Sequence, residues 1–291
     1  EVPNPGDTLV SPETGTLFVS RPNLPNSPSP SPHIFEGHND INQIIDTVSY
    51  SQATSRVAIT LPALDNLTPT PIQTVNGPEV LINIDNLIGS SFDDMLQGNA
   101  APNVIYGGAG NDTIIYTAGS DTVDGGAGMD TFVFDGVSGA ADISHVTNIE
   151  RVVVRSGSPT IVAPDNLFTA ISFLPVDASA LTAADALTWD GHNETNGSYK
   201  IFGGAGNDSI LGGSLNDTIM GGAGNDTISG GLGDDLMSGG EDNDTYYVDS
   251  PNDQVIELSN GGIADQIITK VNYRLPLYVE NLKLDPTAVS Y

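Results

Sequence analysis

Gly203-Gly204-Ala205-Gly206-Asn207-Asp208-Ser209-Ile210-Leu211 is followed without a gap by Gly212-Gly213-Ser214-Leu215-Asn216-Asp217-Thr218-Ile219-Met220. The pattern repeats from Gly221, Gly230 and Gly239. Asp226, Asp235 and Asp244 keep the sixth position, and Ile228, Met237 and Tyr246 the eighth. A period of nine with fixed glycine, aspartate and apolar positions is neither helical nor simply alternating, so it decides the architecture before any single element is considered. The first six residues of each unit turn the chain, because glycine permits positive φ and carries no side chain. The last three form a short strand. Its middle residue, the eighth, points inward because side chains alternate along a strand.

Working outward, the frame at 248 keeps Asp253 and Val255 after its glycines are gone. Upstream, frames from 80, 89, 98, 107, 116 and 125 place Asp85, Asp94, Asn103, Asp112, Asp121 and Asp130 at the sixth position. Leu87, Leu96, Ile105, Ile114, Val123 and Phe132 hold the eighth. Residues 134–202 break the period, since Asp130 and Asp208 are not a multiple of nine apart. Runs such as Arg151-Val152-Val153-Val154-Arg155 and Ile171-Ser172-Phe173-Leu174 still read as strands. The segment is either a continuation of the solenoid without the repeat's aspartate turns or a small β insertion.

Five regions follow. Residues 1–38 form a Pro/Ser-rich extended arm. Residues 39–133 form a first repeat block with leading strands around Thr47–Tyr50 and Val57–Leu61. Residues 134–202 are the spacer, 203–256 the second block and 257–291 capping strands. The fold class is all-β: a right-handed parallel β-roll or β-helix solenoid with metal-binding turns.

Two nonapeptides make one 18-residue coil, so turns n and n+2 stack on the same edge. The register predicts stacked pairs Asp94–Asp112, Asp112–Asp130 and Asn103–Asp121 in the first block. In the second it predicts Asp208–Asp226, Asp217–Asp235, Asp226–Asp244 and Asp235–Asp253. Carboxylates and glycine carbonyls gathered in this way suit a hard cation with many oxygen ligands, which is Ca²⁺ and not Zn²⁺ or Cu²⁺. The candidate ligand turns are Asp94; Gly107, Gly108, Gly110 and Asp112; Gly119 and Asp121; and Gly125, Gly126, Gly128 and Asp130. The second block supplies Gly203, Gly204, Gly206 and Asp208; Gly212, Gly213 and Asp217; and Gly221, Gly222, Gly224 and Asp226. It continues with Gly230, Gly231, Gly233 and Asp235; Gly239, Gly240 and Asp244; and Asp253.

These runs resemble the RTX, or haemolysin-type calcium-binding, repeat. Residues 203–211 fit that pattern at every fixed position. Asp265–Tyr273 with Val279-Glu280-Asn281-Leu282 is similar to the strand pair that commonly follows such a block. Asp46–Tyr50 with Ile84–Leu87 resembles the segment that commonly precedes one. The resemblance implies several bound Ca²⁺ ions, export of the unfolded chain by a type I machine, and folding in millimolar extracellular calcium.

Composition agrees. Lys and Arg together number 8 against 37 acidic residues, a formal charge of −29, which argues against nucleic-acid and anionic-membrane binding. Asp outnumbers Glu 28 to 9, as turns and short-armed cation ligands require. About six or seven Ca²⁺ ions would offset nearly half of that charge. There is no cysteine, so no disulfide or thiolate metal site is available. No run of apolar residues reaches membrane-span length.

Catalytic signatures are missing. His33, His38, His145 and His192 show no ligand spacing, and neither His-Glu-x-x-His nor Gly-x-Ser-x-Gly occurs. Paired carboxylates such as Asp234-Asp235 are expected to ligate or solvate within the repeat. Trp189 and Tyr246-Tyr247 are expected to fill the core or cap coils in preference to lining a carbohydrate groove. Ice binding by this fold wants Thr at the third position, which here holds Ala109, Ala205, Ser214, Ala223 and Leu232.

The expected function is structural and not enzymatic. The chain is expected to be secreted or surface-attached, to self-associate into an extracellular layer, sheath, filament or matrix, and to have cell-surface polysaccharide as a further candidate partner. The alternative is a calcium-folding and secretion module of a larger exoenzyme or adhesin. The Pro-rich arm is a candidate clasp, adding a strand to a neighbouring solenoid edge.

Overall fold

The structure is a computed structural model. It describes residues 45–63, 77–168, 173–259 and 261–285, with the short strands Thr8–Val10, Leu17–Val19, His33–Glu36 and Ile72–Thr74. The described residues contain strands and turns and no α-helix, so no helix crosses a membrane. The chain divides into two compact units: residues 1–132 with 145–149, and residues 133–144 with 150–291.

In the first unit, one sheet stacks Leu17–Val19, Thr47–Ser49, Asn86–Ile88, Val104–Ala109, Thr122–Ala127 and Val146–Thr147. A second row pairs Ala58–Thr60, Met95–Gln97 and Thr113–Ile115. All these neighbours are parallel. Leu87 faces Ile105 and Ile105 faces Val123, so each coil advances 18 residues while the chain alternates between rows. A smaller sheet orders Thr8–Val10, His33–Glu36, Gly77–Ile82 and Ile72–Thr74, and its last pair is antiparallel. Three strands thus fall within the N-terminal arm. They pair with segments of their own chain, and the rest of the arm lies outside the described residues.

The second unit is built on the same plan. One row runs Val152, Val176, Ile201, Ile219, Met237 and Val255. The other runs Ile161, Trp189, Ile210, Ile228, Tyr246, Ile267 and Leu282. Within this unit, residues 150–202 of the spacer stack in the same parallel rows as the second block, with longer coils. Val152 pairs with Val176, a step of 24, and Ile161 with Trp189, a step of 28. The step falls to 21 at Trp189–Ile210 and to 18 at Ile210–Ile228, where the glycine pairs resume. Without a compact glycine turn, more residues are needed to carry the chain round each edge.

The eighth-position residues make the core. Leu87, Leu96, Ile105, Ile114, Val123 and Phe132 are buried, as are Ile210, Ile219, Ile228, Met237, Tyr246 and Val255. Each stacks on the same position of the next coil, and burying one such side chain contributes about 1.5–3 kcal/mol. In the spacer the core widens to aromatics: Trp189 lies edge-on to Tyr199 at 5.6 Å, and Tyr199 to Phe168 at 6.0 Å. Trp189 and Tyr246 are both fully buried, so neither lines a sugar-binding groove, whereas Tyr247 is exposed and does not fill the core.

Candidate metal sites

The sixth-position acids from Asp94 onward are buried although they are charged side chains in turns. Asp112, Asp226, Asp235 and Asp244 are each 1 % exposed. The first glycine of the repeat makes this possible. A Cβ on Gly107, Gly125, Gly203, Gly212, Gly221, Gly230 or Gly239 would collide with the carboxylate of its own repeat. The acid folds back into the space that the missing side chain leaves.

Every stacked pair read from the sequence is joined in the structure by one hydrogen bond. The N–H of Asp94 donates to Asp112 Oδ1 at 2.8 Å, and that of Asp112 to Asp130 Oδ1 at 2.7 Å. Asn103 N–H donates to Asp121 Oδ1 at 2.9 Å. In the second block Asp208 N–H reaches Asp226 Oδ1, Asp217 reaches Asp235 and Asp226 reaches Asp244, all at 2.8 Å. Asp235 N–H reaches Asp253 Oδ1 at 3.0 Å. Three of the columns also have a starting donor outside the pattern: Val57 N–H for Asp94, Leu187 N–H for Asp208 and Tyr199 N–H for Asp217.

The second carboxylate oxygen divides the turns into two kinds. In opening turns it is satisfied locally: Ser90 N–H donates to Asp94 Oδ2, Gly204 N–H to Asp208 Oδ2 at 2.7 Å, and Gly213 N–H to Asp217 Oδ2 at 2.6 Å. In later turns the second glycine has positive φ: 114° at Gly108, 121° at Gly222, 93° at Gly231 and 114° at Gly240. There the Oδ2 atoms of Asp112, Asp226, Asp235 and Asp244 are buried with no hydrogen-bond partner. Gly222 shows why this position must be glycine. Beyond its positive φ, a Cβ there would run into the carbonyl oxygen of Gly204 in the coil before.

A buried anionic oxygen with no donor is costly, and stacking such groups adds repulsion. Burial, with the neighbouring acids of the column adding to it, pushes Asp226 up to about 8. Burial raises Asp112, Asp235 and Asp244 to about 7, again with neighbouring acids contributing, and Asp217 to about 6. Among the described residues, Arg151, His192 and Lys270 pair with Asp177, Asp190 and Asp285, none of them in the columns. The columns therefore suit an oxygen-seeking divalent cation, which would take the orphaned Oδ2 atoms as ligands and cancel their charge. Glycines 110, 119, 128, 206, 224 and 233 sit in the same turns, packed against the backbone of the preceding coil.

Four stretches match the RTX calcium-binding nonapeptide repeat: residues 88–123, 117–136, 200–219 and 211–246. The chain carries RTX calcium-binding repeats. RTX nonapeptides bind Ca²⁺ in their stacked turns, so Ca²⁺ is the ion that this chain takes. No curated protein matches the sequence. The matched stretches include Asp112, Asp226, Asp235 and Asp244 and leave out residues 137–199.

Sequence reasoning missed three features of this RTX architecture. Asp265 extends a column, accepting Asp244 N–H at 2.7 Å across a step of 21 that the period of nine does not foresee. Glu194 and Glu257 are buried acids in turns outside the repeat. Finally, the fifth position carries an outer ladder: Asn225 N–H donates to Asn207 Oδ1, Asn243 N–H to Asn225 Oδ1, and Asp234 N–H to Asn216 Oδ1. The signal was present in the second block, where position five holds Asn207, Asn216, Asn225, Asp234 and Asn243, while Met129 breaks it in the first.

Proposed function

We propose that this RTX protein is a secreted, calcium-folded structural component that assembles into an extracellular layer, sheath, filament or matrix. The observation that carries the reading is the run of orphaned Oδ2 atoms at Asp112, Asp226, Asp235 and Asp244. A fold that encloses such charges is stable only where calcium is abundant. Extracellular modules with Kd values of about 10⁻⁴–10⁻³ M fill there and stay empty in the cytosol. An open strand edge supports self-association. Asn281–Leu284 ends its sheet order among the described residues, with Leu282 and Leu284 exposed. Nothing in the site pairs a nucleophile with a base, so the chain is proposed to have no catalytic activity.

Circular dichroism with chelator and with millimolar Ca²⁺, followed by electron microscopy of the calcium form, tests both halves. The expected result is a largely disordered spectrum in chelator, a β spectrum in calcium, and ordered assemblies only in calcium. A spectrum indifferent to chelation defeats the calcium-folded reading. A calcium form that stays monomeric at high concentration defeats the assembly reading and leaves a calcium-folding module of a larger secreted protein.

A further inference from the structure

We propose that a calcium site outside the nonapeptide pattern closes one column, formed by Asp244 with Glu257 and Asp265. The proposal rests on the reading that the repeats bind calcium and extends it to two residues that the repeat does not include. One carboxylate oxygen from each of the three lies within 4.8 Å of the others, and all three residues are buried. Asp244 Oδ1 accepts Asp226 N–H, and Asp265 Oδ1 accepts Asp244 N–H. The two Oδ2 atoms are buried with no hydrogen-bond partner. Those two buried, unpartnered oxygens, in a cluster whose carboxylates lie within 4.8 Å of one another, distinguish it from a chance gathering of surface acids.

Glu257 is held there by a dedicated partner. The Tyr246 hydroxyl donates to Glu257 Oε1 and accepts the N–H of Gly239, fixing the carboxylate against the turn. Gly261 and Gly262 leave the room. A Cβ on Gly261 would press on Glu257 Oε2, and one on Gly262 on both oxygens of Asp265. They do here what the first glycine does in a repeat. Three carboxylates in one buried space, supplied only with oxygen donors, call for a hard divalent cation, and Ca²⁺ accepts this irregular geometry more readily than Mg²⁺. Glu257 brings a third charge to the step from Asp244 to Asp265, where the glycine-pair repeats have ended.

Counting calcium ions per chain by native mass spectrometry tests the site. Glu257→Gln removes one charge and keeps the Tyr246 contact. It is expected to bind one ion fewer than the parent while keeping the β spectrum at millimolar calcium. An unchanged ion count overturns the proposal and reduces Glu257 to a structural partner of Tyr246. A parent chain that binds no calcium overturns the reading beneath it, which is a separate result. Should Glu257→Gln fail to fold at any calcium concentration, Glu257→Asp decides. It keeps the charge on a shorter arm and is expected to keep the full count with one site at least tenfold weaker; affinities equal to the parent's at every site overturn the proposal.

Discussion

The two oxygens of the Asp226 carboxylate do different things. Oδ1 accepts the N–H of Asp208, which fixes the rotamer, and Oδ2 is left for an ion. Asp226 also donates its own N–H to Asp244, so it belongs to two successive interfaces of one column. Asp253 stands otherwise. It takes Asp235 N–H through Oδ1, while Oδ2 accepts from Asp249 and Ser250 in its own turn. Asp226→Ala is therefore expected to cost two bound ions and Asp253→Ala at most one, counted at saturating calcium. Equal losses in the two variants would show that ions are not shared between stacked turns. This much was legible in the sequence, because a carboxylate every nine residues on an 18-residue coil stacks on its second neighbour whatever the detailed geometry. What could not be read was the fate of Oδ2, which depends on the φ of the glycine four residues earlier; Gly204 and Gly222 look identical in the sequence and differ in the structure.

At the level of elements, two kinds of coil alternate in what holds them. Repeat coils are thin: one apolar residue points inward per strand, and the turns carry the ion. Spacer coils have no such turns and rely on large side chains instead, with Trp189 stacked between Ile161 and Ile210 and set against Tyr199. Trp189→Ala is expected to destabilise the fold by about 3–5 kcal/mol, as for other fully buried aromatics. The calcium concentration needed for half-folding should rise in a titration followed by circular dichroism, with the saturated ion count unchanged. A lower ion count would mean that the spacer holds calcium of its own. Strands such as Arg151–Val154 were legible from alternation, and the role of the spacer as continued solenoid was one of two open readings. Its coil lengths were not legible, since steps of 24 and 28 between partners leave no period to detect. Asp265 was hidden for the same reason: a step of 21 looks like a lost register unless the partner N–H is seen.

For the whole molecule, protons and calcium compete for the same oxygens. The ordinary carboxyl value is 3.8, while burial and neighbouring acids lift Asp226 to about 8 and Asp112, Asp235 and Asp244 to about 7. In the ion-free fold these groups keep protons that the unfolded chain has already released. That fold is thus favoured in acid and loses stability as pH rises from about 4 through 8. Calcium has to displace the protons, so its affinity falls as pH falls across the same window. Calorimetry in buffers of different ionisation enthalpy is expected to show proton release on calcium binding at pH 7 and a weaker apparent Kd at pH 6 than at pH 8. Proton uptake, or tighter binding at pH 6, would contradict the assignment of these carboxylates to the ion. The two ladders also have directions. The inner one donates from the earlier coil to the later, as Asp208 does to Asp226, and the outer one from the later coil to the earlier, as Asn225 does to Asn207. Imagine the stack of repeats cut between any two coils. One cut face shows inner donors and outer acceptors, and the other shows the reverse. Such faces rejoin head to tail with every bond remade, whereas two like faces would set donor against donor and acceptor against acceptor. Each coil thus carries the polarity of the chain on its surface, and anything that lengthens the stack by pairing onto those faces can do so in one sense only.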